Sequence, residues 1–343
     1  MKTITTTKYV KNVLCIATLC FGTTVFAQEE VEEKKQLSIS GSVDTYFRTN
    51  LSSTDVGSQA PGSSFANETG FALGMANLIA TYDMGKTGVV ADLVFGPRGD
   101  DAVGSDLPYV NQLYAYWTVS DKTTLTLGRF NTFLGYEVIS PAANFNYSTS
   151  FLFSSGPFSH VGLKADFTLS DDFSLMLAVM NVTDENFNGT SNGTIPGAYS
   201  LGAQLGYSGQ FLNFYYDGNA KLGFEVDYTG GFDLSDSFFL GINAAYADND
   251  GEGFSGAALY PQITTTDNFT IGLRGEYFSI HTDAVLDDPS IFAVTLTGSY
   301  SIENLTIKPE LRLDNNSEAL FFDNDLNPTK NLSSFLIAAI YSF

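Results

Sequence analysis

The sequence has almost no cysteine, histidine or tryptophan: it contains two cysteines, two histidines and one tryptophan. Both cysteines, Cys15 and Cys20, lie close to the amino terminus. The rest of the chain therefore offers neither a disulfide scaffold nor a thiolate metal site. The histidines, His160 and His281, are too few and too far apart in the chain to indicate a metal site by themselves. We expect no metal and no cofactor.

Basic residues are also scarce. The chain has 16 lysines and arginines against 38 aspartates and glutamates, and its formal net charge is −22. A balance this acidic argues against nucleic acid as a partner. It suits a surface that meets divalent cations or cationic solutes.

No apolar run reaches the length of a membrane-spanning helix. The apolar run at residues 13–21 is too short, but it follows three lysines and precedes a small-x-small sequence at residues 25–27. This order is typical of a secretory signal peptide, whereas a buried core helix would need neither the charges nor the cleavage site. We predict a signal peptide over residues 1–27, a short acidic polar leader over 28–36 and a single domain over 37–343.

Beyond the leader, apolar and polar residues alternate in segments of about ten residues, and helical periodicity is nearly absent. In one such segment Leu305, Ile307 and Leu311 alternate with Lys308 and Glu310. A period of two places alternate side chains on opposite faces of a strand. Each segment therefore has one apolar face and one polar face.

The connections alternate between short turns and longer loops. Residues 84–86, 120–122 and 302–304 form short turns, whereas residues 50–70 and 131–157 form long loops. Short turns at one end and long loops at the other are typical of outer-membrane barrels. A soluble sandwich, the alternative for alternating strands, turns its apolar face inward. We predict an all-β fold: a transmembrane, antiparallel, up-and-down β-barrel of about sixteen strands, wide enough to leave an aqueous channel.

The third long loop, residues 131–157, is unusually long. Loops of this length are commonly either functional or disordered. This loop contains too many Phe, Tyr, Leu and Ile residues to be disordered. We therefore expect the third extracellular loop to fold into the lumen of the barrel and narrow it.

The last strand alternates up to the final residue, with apolar or aromatic side chains at Phe335, Ile337, Ala339, Tyr341 and Phe343. We interpret Tyr341 and Phe343 as a signal read by the outer-membrane insertion machinery. Aromatic residues also crowd the other strand ends, where membrane barrels place girdles at the two interfaces. The expected partners are accordingly outer-membrane lipid and lipopolysaccharide.

Short motifs run from the strand before the long loop, through the loop, to the strand after it. They are Gly128-Arg129-Phe130, Gly135-Tyr136-Glu137-Val138-Ile139, Asn144, Tyr147-Ser148, Ser150-Phe151-Leu152, Pro157-Phe158 and His160-Val161-Gly162. In this order they resemble the OmpL-like β-barrel porin family, which is common in Gram-negative bacteria of the Bacteroidetes type. The resemblance implies an outer-membrane barrel of porin type and says little about the solute. Thr149 and Val161 depart from the family pattern, so the resemblance does not imply an anion-attracting loop.

Charged side chains at a constriction commonly set the selectivity of a channel. Strand parity and the long loop together predict a set of pore-lining residues. They are Asp44, Arg48, Asp92, Lys164, Asp166, Glu225, Asp227, Arg274, Glu276, Lys308, Glu310 and Arg312 on the strands, and Glu137, Asn144, Asn146 and Tyr147 on the loop. The alternative is that many of them pair across the barrel and hold the loop. Arg129 shares the parity of the outward Leu125 and Leu127, so either a bulge turns it inward or it lies at the membrane interface.

No cluster of serine, histidine and carboxylate, and no phosphate-cradling glycine loop, stands out in the sequence. We predict a non-enzymatic porin that lets small hydrophilic solutes or ions diffuse passively, with a weak preference for cations. The alternatives are a closed-lumen barrel used for surface binding or adhesion and, less favoured, a barrel enzyme. By analogy with barrels of this size, the protein would form a homotrimer.

Overall fold

The computed structural model describes residues 36–55, 59–104, 108–182, 198–218, 220–284 and 287–343. The predicted signal peptide, and all but the last residue of the predicted leader, lie outside the described residues. The domain boundaries given above therefore stay predictions.

The described residues are almost entirely β-structure. In chain order the strands are β1 (Gln36–Asn50), β2 (Gly70–Asp83), β3 (Thr87–Phe95), β4 (Val110–Ser120), β5 (Thr123–Asn131), β6 (Ser159–Thr168), β7 (Phe173–Asn181), β8 (Tyr199–Tyr207), β9 (Gln210–Tyr216), β10 (Phe224–Asp233), β11 (Phe238–Asn249), β12 (Glu252–Thr266), β13 (Phe269–His281), β14 (Ser290–Ile302), β15 (Leu305–Asn316), β16 (Phe321–Phe322), β17 (Pro328–Thr329) and β18 (Asn331–Ser342). Two short helices lie in loops: α1 (Pro97–Val103) and α2 (Phe151–Ser155).

β1 to β15 and β18 form one closed barrel, and each strand pairs with its neighbours in the chain. The barrel closes where β1 pairs antiparallel with β18, with Ser42 opposite Ser342 and Asn50 opposite Ser334. Phe343 continues this pairing, because its N–H donates to the carbonyl of Gly41. The small strands β16 and β17 form a separate hairpin within the last long loop. The prediction of a closed antiparallel barrel of about sixteen strands is confirmed.

The two faces of the wall differ as the alternation predicted. On β15, Lys308, Glu310 and Arg312 are buried, whereas Leu311 and Leu313, at alternate positions, are exposed. Phe71 on β2 is 92% exposed and is one of many apolar side chains on the outer surface of the barrel. Apolar side chains outside and polar side chains inside are the reverse of a soluble sandwich and are typical of a barrel in lipid.

The connections alternate in length around the barrel. A two-residue turn at 121–122 joins β4 to β5, and the next connection, residues 132–158, joins β5 to β6. The long connection contains α2, which agrees with the expectation that this loop is not disordered. Among the described residues, neither helix is long and apolar enough to cross a membrane.

Candidate functional site: the loop between β5 and β6

The loop of residues 132–158 has an ordered structure of its own. The side chain of Asn144 accepts a hydrogen bond from the N–H of Val138 (2.9 Å) and donates one to the carbonyl of the same residue (2.6 Å). Ser150 caps α2, because its Oγ accepts a hydrogen bond from the N–H of Phe153 (3.1 Å). These contacts fix the backbone at both halves of the loop.

A buried ion pair joins the loop to the wall. The guanidinium of Arg274 on β13 lies 2.7 Å from Oε1 of Glu137, and the two side chains are only 1% and 3% exposed. The other oxygen of Glu137 accepts hydrogen bonds from the N–H and the hydroxyl of Ser150. Glu137 therefore links the wall to the cap of α2.

Wall carboxylates accept the backbone N–H groups of the loop. Glu276 on β13 accepts from the N–H groups of Phe151 (3.1 Å) and Leu152 (2.9 Å). Glu310 on β15 accepts from the N–H of Tyr147 (3.0 Å) and from the hydroxyl of Ser148. Charge-assisted hydrogen bonds of this kind are stronger than neutral ones. Both carboxylates are therefore engaged in holding the loop.

Wall cations bind the loop carbonyls in the same way. Lys308 on β15 donates to the carbonyl of Pro141 (2.9 Å), and Arg312 donates to the carbonyl of Thr149 (2.7 Å). Arg274 also donates to the carbonyl of Thr149 (3.2 Å). Lys308 and Arg312 are buried. The inward charges of β13 and β15 thus contact the loop backbone.

Tyr147 connects the loop to β1. Its ring is fully buried and its hydroxyl donates to the carboxylate of Asp44. Burial raises the pKa of Tyr147, and the neighbouring Asp44 carboxylate raises it further, so the phenol stays a neutral donor. The other oxygen of Asp44 accepts from the N–H of Met75 (3.1 Å). This arrangement ties the loop to two further strands, β1 and β2.

Arg98, on α1 in the preceding long loop, was not identified from the sequence. Its Nε donates to the carbonyl of Ile139 (2.9 Å), and a second nitrogen donates to the carbonyl of Tyr147 (3.1 Å). Its guanidinium also lies 5.3 Å from the centre of the Tyr147 ring and 5.6 Å from that of Phe65. No alternation exists in a loop helix, so strand parity carried no signal for Arg98.

Glycines on the inner wall receive aromatic side chains of the loop. A Cβ atom on Gly202 would lie 2.6 Å from the ring of Phe133, and one on Gly272 would lie 2.4 Å from the ring of Phe145. A Cβ on Gly241 would meet the hydroxyl of Tyr136 at 2.4 Å. Real side chains do not approach this closely. The loop therefore packs against the wall only because these positions lack a side chain.

The loop also has an apolar core. Phe151 of α2 stacks on Phe278 of β13 with ring centres 6.0 Å apart, and Phe153 lies 5.1 Å from Phe158. Leu152 belongs to the same buried cluster as Phe278. Apolar packing inside the barrel accompanies the polar contacts with the wall.

Two inward carboxylates are held by amides. Asp92 on β3 accepts hydrogen bonds from the side-chain amides of Asn77, Asn111 (2.7 Å) and Gln112 (2.9 Å). The three amides were missed in the sequence, although Asn77 and Gln112 lie at inward positions of their strands. Alternation along a strand can mark a position as inward, but it does not show that three amides share one partner.

Asp227 on β10 has a similar environment. It accepts hydrogen bonds from the side-chain amides of Asn213 and Asn243 and from the N–H of Gly135 (3.0 Å) in the loop. The loop therefore contacts inward side chains of β1, β10, β13 and β15, and it lies against the inner face of the wall.

Three further side chains predicted to line the pore are also buried. Arg48 donates to the side chain of Asn50 (2.9 Å), and Asn146 donates to the hydroxyl of Thr297 (2.7 Å). Glu225 on β10 is buried. No group of three or more His, Cys, Asp or Glu side chains in the described part of the chain could hold a metal ion.

The comparison with protein families decides the family. The model of the family described as "Putative beta-barrel porin-2, OmpL-like" matches residues 36–343. The chain belongs to this family. The family match confirms the resemblance that the loop motifs indicated. Family and fold together also confirm that this porin-type barrel lies in the outer membrane. No curated protein sequence matches the chain.

Solved structures share the fold at low sequence identity. An anion-selective porin from Comamonas acidovorans has a TM-score of 0.62 and 12% identity, and the match covers 90% of this chain and 100% of that one. The outer membrane channel DcaP of Acinetobacter baumannii has a TM-score of 0.55 and 13% identity, covering 93% and 100%. OmpT of Vibrio cholerae has a TM-score of 0.52 and 10% identity, covering 93% and 100%.

Within this porin-family barrel, two of the predicted pore-lining residues differ from the rest. Lys164 and Asp166 on β6 form an ion pair of 3.0 Å, and their side chains are 26% and 42% exposed. All the other predicted pore-lining residues are buried. Lys164 also lies 5.6 Å from the centre of the Phe130 ring, at the base of the loop. The exposed inward charges are thus on β6.

Arg129 is buried, which settles the position left open by its parity. The preceding Gly128 has φ of +139°, and a Cβ there would lie 2.3 Å from the carbonyl oxygen of Leu113. Nε of Arg129 donates to the carbonyl of Asn111 (3.0 Å). The glycine conformation interrupts the alternation of exposed and buried residues, so Arg129 is withdrawn from the apolar outer surface.

Proposed function

We propose that this barrel is a passive porin through which small hydrophilic solutes and ions diffuse across the outer membrane. The observation that carries the proposal is a closed barrel of sixteen strands with a polar inner face, in a chain that belongs to a porin family. A barrel of this size is wide enough to enclose an aqueous channel. The porin role needs no chemical step, so the proposal includes no enzymatic activity.

Water and solutes pass along the wall that bears Lys164 and Asp166. Both side chains are partly exposed, whereas the inward charges of β13 and β15 are buried against the loop. In this proposal the loop narrows the channel from its long-loop, extracellular side. The buried residues predicted to line the pore influence permeation by holding the loop.

The channel has a weak preference for cations. Among the predicted pore-lining residues, eight are acidic and five are basic. The inward acids Asp92 and Asp227 have only uncharged hydrogen-bond donors among the contacts described above. An excess of negative charge in a narrow polar channel favours cations. A reversal potential that favours anions would contradict this part of the proposal.

Export and assembly complete the proposal. Residues 1–27 act as a cleaved signal peptide, and Tyr341 and Phe343 act in recognition by the insertion machinery. Both aromatic side chains are about half exposed on the outer surface at the closing strand, where that machinery or lipid can reach them. Outer-membrane lipid and lipopolysaccharide surround the barrel, and the assembly is a homotrimer.

Solute uptake by proteoliposomes tests the porin role. Liposomes that contain the refolded barrel are placed in isotonic solutions of sugars of increasing size, and swelling is followed by light scattering. We expect small sugars to enter and entry to slow as the sugar grows. Protein-free liposomes are the control. If barrels with native circular dichroism admit no sugar and no ions, the passive porin role is wrong.

A second candidate is a barrel with a closed lumen that binds a partner through its loops. The dense packing of residues 132–158 against the wall favours this candidate. Such a protein would pass no current, and deletions in its other long loops would abolish binding. Uptake of sugars by proteoliposomes would exclude a closed lumen.

A further inference from the structure

Glu225 differs from the other buried acids of the barrel. Its side chain is 2% exposed, and its Oε2 is buried without a hydrogen-bond partner. Every other buried side-chain carboxylate oxygen in the described ranges has a partner. Asp227, two residues along the same strand face, receives three hydrogen bonds. Glu225 therefore lacks the hydrogen bonds that compensate the other buried carboxylates for their loss of hydration.

An ionised carboxylate cannot stay buried without compensation, because its desolvation is very unfavourable. Within the described part of the chain, no lysine, arginine or histidine forms an ion pair with Glu225. Asp227 adds a second negative charge nearby, and both of its oxygens are occupied by N–H donors. The carboxylate of Glu225 must therefore either bind a proton or face a bound cation.

Gly156 leaves room for a methyl group beside this carboxylate. Apart from the residues adjacent to Gly156 in the chain, a Cβ atom there would meet nothing closer than the two carboxylate oxygens of Glu225, each at 4.0 Å. Gly156 directly follows α2, whose last carbonyl groups have no partner within the helix. Carboxylate and carbonyl oxygens are the ligands that hard cations prefer.

We propose that Glu225 and the carbonyl end of α2 hold a monovalent hard cation, sodium or potassium, in the space beside Gly156. One carboxylate with neutral oxygens balances a single positive charge, whereas a tight calcium site uses several acidic side chains. The cation neutralises Glu225 and joins β10 to the end of the loop. The site does not depend on whether the barrel conducts.

Thermal unfolding in matched salts tests the site. The refolded barrel is heated at neutral pH in sodium chloride, potassium chloride or N-methyl-D-glucamine chloride at one ionic strength. A ligand that binds only the folded state raises Tm in a saturable way. We expect a higher Tm in sodium or potassium than in the bulky organic cation. Equal Tm values in all three salts would overturn the proposal.

Two variants remove the site in different ways. Glu225→Gln removes the charge, and Gly156→Ala fills the space with a methyl group while the charge remains. Gly156 has φ of −94°, which an alanine adopts without strain. We expect both variants to lose the dependence of Tm on the cation. Glu318→Gln, at an exposed position, and Gly275→Ala, at an open wall position, are the matched controls and keep it.

A crystallographic measurement stands beside the variants in case one of them does not fold. Crystals of the unaltered protein grown in rubidium chloride should contain an anomalous peak in coordination contact with Glu225. A site without rubidium, with a Tm that rises on acidification but is the same in all salts, would assign a proton to Glu225. That result would overturn the cation site.

Discussion

Arg274 and Glu137 form a buried ion pair of 2.7 Å between the wall and the loop, although 137 residues separate them in the chain. Arg274 also donates to the carbonyl of Thr149 and to the hydroxyl of Thr295. Removing one partner of a buried pair leaves the other charge uncompensated. The loss of either partner is therefore expected to destabilise the protein by more than the net contribution of the intact pair.

The first prediction concerns this pair. Arg274→Met leaves Glu137 buried and unpaired, and we expect the free energy of unfolding to fall by about 3–5 kcal/mol. Urea unfolding of the refolded barrel measures the change. Lys164→Met removes a partly exposed pair and should cost about 1 kcal/mol or less. Equal losses in the two variants would show that the loop is not anchored through Arg274.

The double variant Arg274→Met with Glu137→Gln completes a double-mutant cycle. It removes both charges, so we expect it to be more stable than Arg274→Met alone. If the two losses were simply additive, the side chains would not interact, and the buried pair would have no energetic role.

The second prediction concerns the glycines that receive loop aromatics. Gly272→Val should push the ring of Phe145 away from the wall and lower stability by about 1–3 kcal/mol, the usual cost of overpacking. Gly275→Val on the same strand is the control, because no atom lies within 4 Å of its Cβ position. Adding Phe145→Ala to Gly272→Val should restore part of the loss. No recovery would mean that the valine acts through the strand backbone.

The third prediction concerns the amides around Asp92. Asp92→Asn replaces an acceptor by a group that also donates, so buried N–H groups of Asn77, Asn111 and Gln112 lose a partner. We expect a loss of about 1–3 kcal/mol in urea unfolding. Asp121→Asn, in the exposed turn between β4 and β5, should change stability by less than about 0.5 kcal/mol. An unchanged midpoint for Asp92→Asn would contradict the assigned hydrogen bonds.

The alternation in the sequence predicted the strands and the inward side of residues such as Lys308 and Glu310. That inference needs only the alternation of side chains along a strand, which has a period of two residues. The partners of these residues could not be predicted, because they lie more than 160 residues away in the loop, at Pro141 and Tyr147. Parity identifies a face but not the group that the face meets.

Two further features could not be predicted from the sequence, for different reasons. Arg98 acts from a helix in a loop, where no strand parity applies. Glu225 has the same parity as Asp227, yet one carboxylate is fully hydrogen-bonded and the other has an oxygen without a partner. Only the positions of Asn213, Asn243 and the loop distinguish them.

The fourth prediction concerns selectivity. Lys164 is partly exposed on the inner face, so Lys164→Glu should shift the reversal potential under a salt gradient towards cations. Lys86→Glu, in the exposed turn between β2 and β3, is a charge-reversal control and should leave the reversal potential nearly unchanged. An identical shift in both variants would indicate a general surface-charge effect, and the solute path would not follow β6.

Conductance across a planar lipid bilayer tests the passive porin role most directly. The refolded barrel is inserted under a salt gradient, and single-channel current is recorded against voltage. The proposal predicts stable open-channel steps and a reversal potential that weakly favours cations. Folded and inserted barrels that carry no current would contradict it and would favour a closed lumen sealed by residues 132–158.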